Sequence, residues 1–255
     1  MKMMLFDLDA TLLRDDKTIS RRTADALERC REKGILIGVC TSRAEHNCLT
    51  FLPEVKPDLL IASGGAVVKY RGQCIHSAEF SAEQVRHMIA TARRICGADC
   101  EITLDTLEAH YWNYKVDPNL DDATWGETIY TDYAHWDEKA LKICVQIFDA
   151  QQARALADSL PECDCLQFTG SPWHKFTKKD ATKENAIRIA CGLCGIELEN
   201  VTAFGEDTPD IGMLTLCGTG VAMGNALECV KQAADVVIGS NEEDGIAEYL
   251  EKYVL

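Results

Sequence analysis

Residues 5–13 of the chain read LFDLDATLL and place two acidic residues directly after an apolar run. Met3–Phe6 is a short, uninterrupted apolar segment, which predicts a strand that is buried on both faces. The run ends on Asp7 and Asp9. Two carboxylates this close together repel each other and are costly to bury, so a compensating group must lie beside them.

Four short apolar runs of this kind are separated by helical patterns along the chain, at residues 3–6, 35–40, 59–62 and 201–204. Such non-alternating runs are typical of parallel strands, so we predict an α/β fold with a doubly wound, Rossmann-like parallel-sheet core. Ser20 as N-cap and Gly34 as helix stop predict a crossover helix between the first two strands. In such sheets the functional groups gather at the carboxyl ends of the strands, where Asp7, Asp9 and Thr41 would meet.

The middle of the chain has a different pattern. It contains alternating segments such as EITLDTLEAHYWN and KICVQIF, a helical pattern over residues 81–96, and all four tryptophans: Trp112, Trp125, Trp136 and Trp173. The parallel-strand pattern resumes only after this region. We therefore predict an inserted α+β domain at residues 81–178 and a core formed by residues 1–80 and 179–255.

The chain of 255 residues carries 26 basic and 41 acidic residues, a formal charge of −15. This charge would repel phosphate backbones and anionic lipids, so we expect no nucleic-acid or membrane partner. An anionic substrate would also be repelled, so its site must supply local positive charge from a metal, lysines or amide dipoles. Thirteen scattered cysteines fit reduced thiols, and no apolar stretch approaches the roughly 18 residues of a membrane span, so we predict a cytoplasmic protein. The oligomeric state stays open.

Four stretches, taken in order, carry a family resemblance: Asp7-Leu-Asp9-Ala-Thr11, Val39-Cys-Thr41-Ser-Arg43, Lys179-Asp-Ala-Thr-Lys183 and Gly205-Glu206-Asp207-Thr-Pro-Asp210. Together they resemble the haloacid dehalogenase-like superfamily, and in particular its Cof-type phosphatase branch, which inserts a large α/β cap after the third core strand. SGGA at residues 63–66 and GVAMGNA at residues 220–226 extend the resemblance. Each motif alone is weak, and a turn acid or a solvated lysine would explain any one of them.

The resemblance implies a role for each of these residues. Asp7 is the nucleophile, Asp9 the general acid and base, and Lys183 the cation on the phosphoryl oxygens. Thr41, Ser42 and Arg43 would bind the phosphate. Mg²⁺ would be held by the Asp7 side chain, the Asp9 backbone carbonyl, Glu206 and Asp210. Oxygen ligands without nearby histidine or cysteine suit Mg²⁺ better than zinc.

The chemistry of the acid pair explains its spacing. A carboxylate can attack phosphorus and form an aspartyl phosphate, which divides one difficult hydrolysis into two easier steps. A second acid two residues later can protonate the leaving alcohol and then take a proton from water. To do so, Asp9 needs either a pKa well above the ~3.9 of free aspartate or protonation as it meets the substrate, and both alternatives stay open.

The motifs depart from the family pattern at several positions. Ala10 replaces the usual glycine, which matters only if the backbone there needs a positive φ. Glu206 replaces an aspartate, Pro209 an asparagine, and Gly64 the asparagine of the family's turn. We predict Thr208 as N-cap before Pro209 and expect these changes to weaken metal affinity or turnover.

The leading hypothesis is a Mg²⁺-dependent phosphatase that hydrolyses small phosphorylated metabolites, such as sugar phosphates, through an aspartyl-phosphate intermediate. A phosphomutase acting on sugar phosphates is a second enzyme reading. A binding protein that keeps the fold with a weakened site is the non-enzyme alternative, for which Ala10, Glu206 and Pro209 would be signs of decay.

Overall fold

The computed structural model describes residues 1–121 and 127–255 and divides into two compact units. Unit 1 comprises Met1–Arg43, Cys48–His76 and Lys183–Leu255, and unit 2 comprises Ala44–Asn47 and Ser77–Thr182. The predicted boundaries after residues 80 and 178 each lie four residues from a boundary between these units. Trp125, assigned to the insertion from sequence, lies outside the described residues.

The strands of unit 1 form one sheet with the order β14-β13-β12-β1-β2-β3-β4-β5. Their bounds are β1 (Met3–Phe6), β2 (Leu36–Cys40), β3 (Leu59–Ala62), β4 (Val67–Tyr70), β5 (Gln73–Ser77), β12 (Val201–Gly205), β13 (Thr219–Ala222) and β14 (Val236–Val237). From β14 to β3 all neighbours are parallel, which confirms the predicted parallel-sheet core. The antiparallel pairing of β4 with β3 was not predicted.

The helices of the chain outside the insertion are α1 (Arg21–Glu32), α2 (Glu45–Leu49), α6 (Lys183–Cys194), α7 (Ile211–Leu216), α8 (Glu228–Ala233) and α9 (Gly245–Tyr253). Helix α1 is the predicted crossover between β1 and β2. The Ser20 hydroxyl accepts the Thr23 N–H at its start, and Gly34 with φ +81° follows its end. In β1 and β12, Phe6 and Phe204 stack in the core with ring centroids 4.5 Å apart.

Unit 2 is an α+β unit, as predicted. Among its described residues the strands are β6 (Ile102–Asp105), β7 (His110–Trp112), β8 (Ile129–Tyr130), β9 (Lys142–Gln146), β10 (Cys163–Gln167) and β11 (Trp173–Lys178), in the order β10-β11-β9-β6-β7-β8. The helices are α3 (Ala82–Cys96), α4 (Pro118–Asp121) and α5 (Ala150–Ser159).

The two faces of the unit 2 sheet differ in character. Leu104, Ile143 and Phe176 share one face and pack into an apolar core with side chains of α3 and α5, such as Met88 and Leu156. Because strand side chains alternate, their neighbours point to the other face. We call this other face the polar face and define it by Thr103, Asp105, His110, Trp112, Lys142, Lys175 and Thr177.

In the part of the chain that the structure describes, no helix combines the length and apolar character needed to cross a membrane.

Candidate active site

The carboxyl edge of the unit 1 sheet carries the residues singled out from the sequence. Asp7 follows β1, and its N–H donates to the Phe204 carbonyl at 2.9 Å. Thr41 follows the neighbouring strand β2, and its N–H donates to the Ile61 carbonyl at 2.8 Å. Glu206 directly follows β12, which pairs with β1 on its other side. Parallel pairing therefore brings residues far apart in sequence to one edge.

Three carboxylates converge at this edge. Asp7, Glu206 and Asp210 each offer one oxygen, and these oxygens lie within 4.8 Å of one another. The Lys183 ammonium bridges two of them, with Nζ 2.7 Å from Asp7 Oδ1 and 2.7 Å from Asp210 Oδ1. Lys183 is the first residue of α6, and its side chain is only 5% exposed. One buried cation thus faces three carboxylates.

This imbalance of charge sets the pKa values of the cluster. Burial raises the pKa of Asp7 to about 7 against the opposing pull of Lys183. Burial, together with repulsion from Asp7 and Asp210, raises the pKa of Glu206 to about 10. Burial acts to lower the pKa of Lys183, but Asp210 and Asp7 outweigh it and raise that pKa well above its usual value. Lys183 alone does not balance the charge of the three carboxylates, and an all-carboxylate donor set of this kind fits Mg²⁺.

The loop after β12 positions Glu206 and Asp210 within the carboxylate cluster. Asp210 Oδ2 accepts the N–H groups of Glu206 at 2.9 Å and Asp207 at 3.2 Å. A Cβ at Gly205 would lie 2.5 Å from the Asp210 Cβ, so the turn requires glycine there. The prediction of Thr208 as N-cap is wrong by one residue. Asp207 instead caps a short 3-10 turn, Thr208–Asp210, that precedes α7, and it accepts the Thr208 N–H at 2.7 Å because its carboxylate reaches the first free amide.

Asp9 is paired with two cations. Arg43 approaches it with two nitrogens, Nε 2.6 Å from Oδ2 and Nη2 2.8 Å from Oδ1, and Lys17 Nζ lies 2.9 Å from Oδ1. Burial acts to raise the pKa of Asp9, but Arg43 and Lys17 outweigh it and lower the pKa. The sequence left two alternatives open for Asp9, a raised pKa or protonation as it meets the substrate. The structure does not show a raised pKa. The Asp9 side chain is ionised. The role of the Asp9 backbone carbonyl as a metal ligand stays a prediction.

Sequence reasoning missed Lys17. It lies in the loop before α1, at a positive φ of +65°, and no motif includes it. A lysine eight residues after an acid has no distinguishing pattern, so only the folded loop shows that the two side chains meet.

The predicted phosphate-binding stretch, Thr41, Ser42 and Arg43, forms a tight turn after β2. The Thr41 hydroxyl accepts the Arg43 N–H at 3.1 Å. A second turn supports it, because Gly64 N–H donates to the Thr41 carbonyl at 3.0 Å and Ser63 N–H to the Arg43 carbonyl at 2.7 Å. The structure joins this stretch to Asp9 through Arg43.

Ala10, which replaces the glycine usual in the family after Asp9, has a strained backbone. Its φ is +54°, in the left-handed region where a Cβ is unfavourable. The Ala10 carbonyl accepts the Asn225 side-chain amide at 2.8 Å, which helps to hold the turn. The glycine usual in the family would adopt this backbone without strain.

Comparison with known proteins gives matches over almost the whole chain. A model of the haloacid dehalogenase-like hydrolase family matches residues 4–250. The 5-amino-6-(5-phospho-D-ribitylamino)uracil phosphatase YitU of Bacillus subtilis is 25% identical to this chain, over 98% of this chain and 97% of its own length. Pyridoxal phosphate phosphatase YbhA of Escherichia coli is 27% identical, over 100% and 99% respectively. Among solved structures, the HAD subclass IIB sugar phosphatase BT4131 has a TM-score of 0.85 at 24% identity and covers 99% of each chain.

Proposed function

Because this chain belongs to the haloacid dehalogenase-like hydrolase family, we propose that it cleaves phosphate esters through an aspartyl phosphate formed on Asp7. The chain is a phosphoric monoester hydrolase of small phosphorylated metabolites. The observation that supports an aspartyl phosphate on Asp7 is the buried Lys183, which bridges Asp7 and Asp210 beside Glu206 at the carboxyl edge of the sheet.

The relatives support a substrate class. Their names describe a ribityl-bearing uracil phosphate, pyridoxal phosphate and, for the structural neighbour, a sugar phosphate. Each consists of a phosphate ester on a small polar alcohol. We assign the same class to this chain, with sugar-phosphate-like esters as the preferred members, and we assign substrate specificity to unit 2.

We propose the following chemical steps for these side chains. An Asp7 oxygen attacks phosphorus and forms a new O–P bond, while the bond between phosphorus and the alcohol oxygen breaks. Asp9 gives its proton to the departing alkoxide, and Lys183 neutralises charge on the phosphoryl oxygens. Water then attacks phosphorus, the bond between phosphorus and the Asp7 oxygen breaks, Asp9 takes the proton from water, and phosphate leaves with Asp7 restored as a carboxylate.

Asp9 must be protonated before it can act as the acid. In this structure Arg43 and Lys17 keep it ionised. We propose that the phosphoryl oxygens of the substrate compete for these two cations. Loss of the ion pairs, together with the negative charge of the substrate, would raise the pKa of Asp9 and lead to proton uptake on binding.

Asp7, Glu206, Asp210 and the Asp9 carbonyl would hold Mg²⁺, which when bound supplies positive charge that lowers the pKa of these carboxylates and offsets their repulsion of the phosphate dianion.

A panel of phosphate esters tests this function. With Mg²⁺ the wild-type protein should release phosphate from several small esters, and chelation by EDTA should stop the release. Asp7→Asn should release none, because an amide is a poor nucleophile. Asp25→Asn, an exposed change on α1, is the matched control and should retain wild-type rates.

Two results would contradict the proposal. Turnover by folded Asp7→Asn would mean that Asp7 is not the nucleophile. Isomerised sugar phosphate without free phosphate would identify a phosphomutase instead. Fluoroberyllate with Mg²⁺ distinguishes an active phosphatase from a binding protein with a weakened site, because only an active Asp7 should form the acyl-phosphate mimic.

A further inference from the structure

The turn at residues 223–227, which follows β13, is bound to the loop that carries Glu206. Met223 N–H donates to the Gly205 carbonyl at 3.0 Å, and Leu227 N–H donates to the Glu206 carbonyl at 3.0 Å. Two backbone hydrogen bonds therefore hold this turn beside the carboxylate cluster. The turn overlaps the GVAMGNA motif, which the proposed reaction does not use.

A second loop, residues 239–241, packs against the same turn. Gly224 N–H donates to the Gly239 carbonyl at 3.0 Å. Asn241 N–H donates to the side-chain oxygen of Asn225 at 3.2 Å. Because the oxygen of the Asn225 amide accepts this hydrogen bond, its nitrogen is directed elsewhere as a donor.

Asn225 and Asn241 hold the two ends of the turn that follows Asp9. Nδ2 of Asn225 donates to the Ala10 carbonyl at 2.8 Å, and Nδ2 of Asn241 donates to the Leu13 carbonyl at 3.1 Å. We call these two side chains the asparagine clamp. Ala10 has a φ of +54°, so the backbone that the clamp holds is strained. A strained backbone persists only where surrounding contacts oppose its relaxation.

The orientation of Asp9 depends on this backbone once the substrate is bound. Arg43 and Lys17 are the hydrogen-bond partners of the Asp9 carboxylate among the described residues. In the proposed reaction the phosphoryl oxygens compete for both cations, which frees the carboxylate from them. The backbone of Asp9 must then place its side chain within hydrogen-bond reach of the leaving oxygen.

We propose that Asn225 is a positioning residue for the acid step, with Asn241 holding it in place. By fixing the Ala10 carbonyl, Asn225 keeps Asp9 where its proton reaches the oxygen of the leaving alcohol. Asn225 acts through the backbone next to Asp9 and not on the substrate. This inference rests on the proposed function, in which Asp9 is the general acid.

Asn225→Asp tests the proposal, because it keeps the oxygen that accepts from Asn241 and removes the donor to the Ala10 carbonyl. Pentyl phosphate needs a proton as its alkoxide departs, whereas the nitrophenolate of p-nitrophenyl phosphate departs without one. The ratio of kcat/KM for pentyl phosphate to that for p-nitrophenyl phosphate should fall about tenfold. The added negative charge opposes the approach of both esters alike, so its effect cancels in the ratio.

Two further variants complete the comparison. Asn200→Asp adds the same charge before β12, at the end of that strand opposite to Glu206, and should leave the ratio unchanged. Asn225→Leu removes the donor without adding charge and should lower the ratio about as much as Asn225→Asp. An unchanged ratio in either folded Asn225 variant would overturn the proposal, because a purely structural loss lowers both rates equally.

Amide hydrogen exchange separates this inference from the proposed function. Within the clamped turn, Leu12 N–H donates to the Asp7 carbonyl and Leu13 N–H to the Leu8 carbonyl. In Asn225→Leu these two amides should exchange about tenfold faster than in wild type, because the turn opens more often. Unchanged exchange in an active phosphatase would overturn the inference alone. Faster exchange in a protein whose wild type releases no phosphate from either ester would support the clamp and reject the proposed function.

Discussion

Ala10 is the residue at which the sequence and the backbone disagree most directly. A left-handed φ costs a residue with a Cβ roughly 1–2 kcal/mol, and Ala10 has a φ of +54° next to Asp9, the proposed general acid. The hydrogen bond from Asn225 and the ion pairs of Asp9 with Arg43 and Lys17 hold the turn in place. The strain therefore persists because the surrounding contacts over-determine this backbone.

Ala10→Gly should stabilise the protein. Relief of the left-handed strain exceeds the added entropy of the unfolded chain, so we expect a net gain of about 0.5–1 kcal/mol. For a chain of this size, thermal unfolding should show a rise in melting temperature of about 2 °C. Ala24→Gly, the same substitution inside α1, should instead lose about 1 kcal/mol. Equal losses from both substitutions would contradict the left-handed assignment at Ala10.

At the scale of elements, strand pairing generates a charged row in unit 2. Residues directly opposite each other on β7, β6 and β9 place His110, Asp105 and Lys142 in line on one face. The ion pair of Asp105 with Lys142 is nearly fully buried, and removing one partner of such a pair leaves an uncompensated charge. Its contribution should consequently be visible in the pH dependence of stability.

Asp105→Asn should destabilise the protein by about 3 kcal/mol at pH 7, because it leaves Lys142 buried without its carboxylate. The folded-state pKa of Asp105 is lowered, so its stabilising contribution is present above the unfolded pKa of ~3.9 and is lost as the pH falls through the folded value. The difference in unfolding free energy between wild type and variant should thus shrink below about pH 4.

Urea unfolding at a series of pH values measures this difference. Asp137→Asn is the control, because the Asp137 pair with Arg86 is largely exposed, and it should change stability little at any pH. A difference for Asp105→Asn that stayed constant from pH 7 to pH 3 would mean that Asp105 is not held ionised by its neighbours.

On the scale of the whole molecule, the formal charge of −15 opposes the approach of any phosphate ester. Lys183, Arg43 and Lys17 supply positive charge locally, but each already faces carboxylates. The long-range field is therefore negative even though the site contains cations. Salt should weaken this repulsion more than it weakens the buried contacts of the site.

Raising the ionic strength should increase kcat/KM for an anionic ester. Between about 0.01 M and 0.15 M salt the Debye length falls from about 30 Å to about 8 Å, and with saturating Mg²⁺ we expect a rise of about threefold. Steady-state kinetics with pentyl phosphate measures it. Phosphocholine, whose leaving group carries a positive charge, should show a smaller rise. A fall in kcat/KM for pentyl phosphate would show that local cations dominate the approach.

Much of the fold was predictable because local patterns specify it. The strands at Met3–Phe6 and Leu59–Ala62 coincide with their apolar runs, and Ser20 caps α1 as expected. The strand ends before Asp7 and Thr41 and the loop after Phe204 predicted one shared edge, because parallel strands end together, whereas Lys183 was assigned to this edge by the family resemblance alone. Strand β4, which is antiparallel to β3, and strand β5 were not predicted, since short half-buried strands have no strong periodicity.

By itself, the sequence determined the parallel core, the presence of an inserted α+β unit, and which acids and which lysine gather at the sheet edge. The core and the inserted unit follow from apolar periodicity, which is a local property of the chain, and the gathering of these side chains follows from the motifs that carry the family resemblance. Only the tertiary structure decided that Arg43 and Lys17 hold Asp9 ionised, that Ala10 takes a left-handed backbone, and that the ring nitrogens of His46 are buried without a hydrogen-bond partner among the described residues. Those outcomes depend on distances and burial among residues from separate segments, and packing alone sets both.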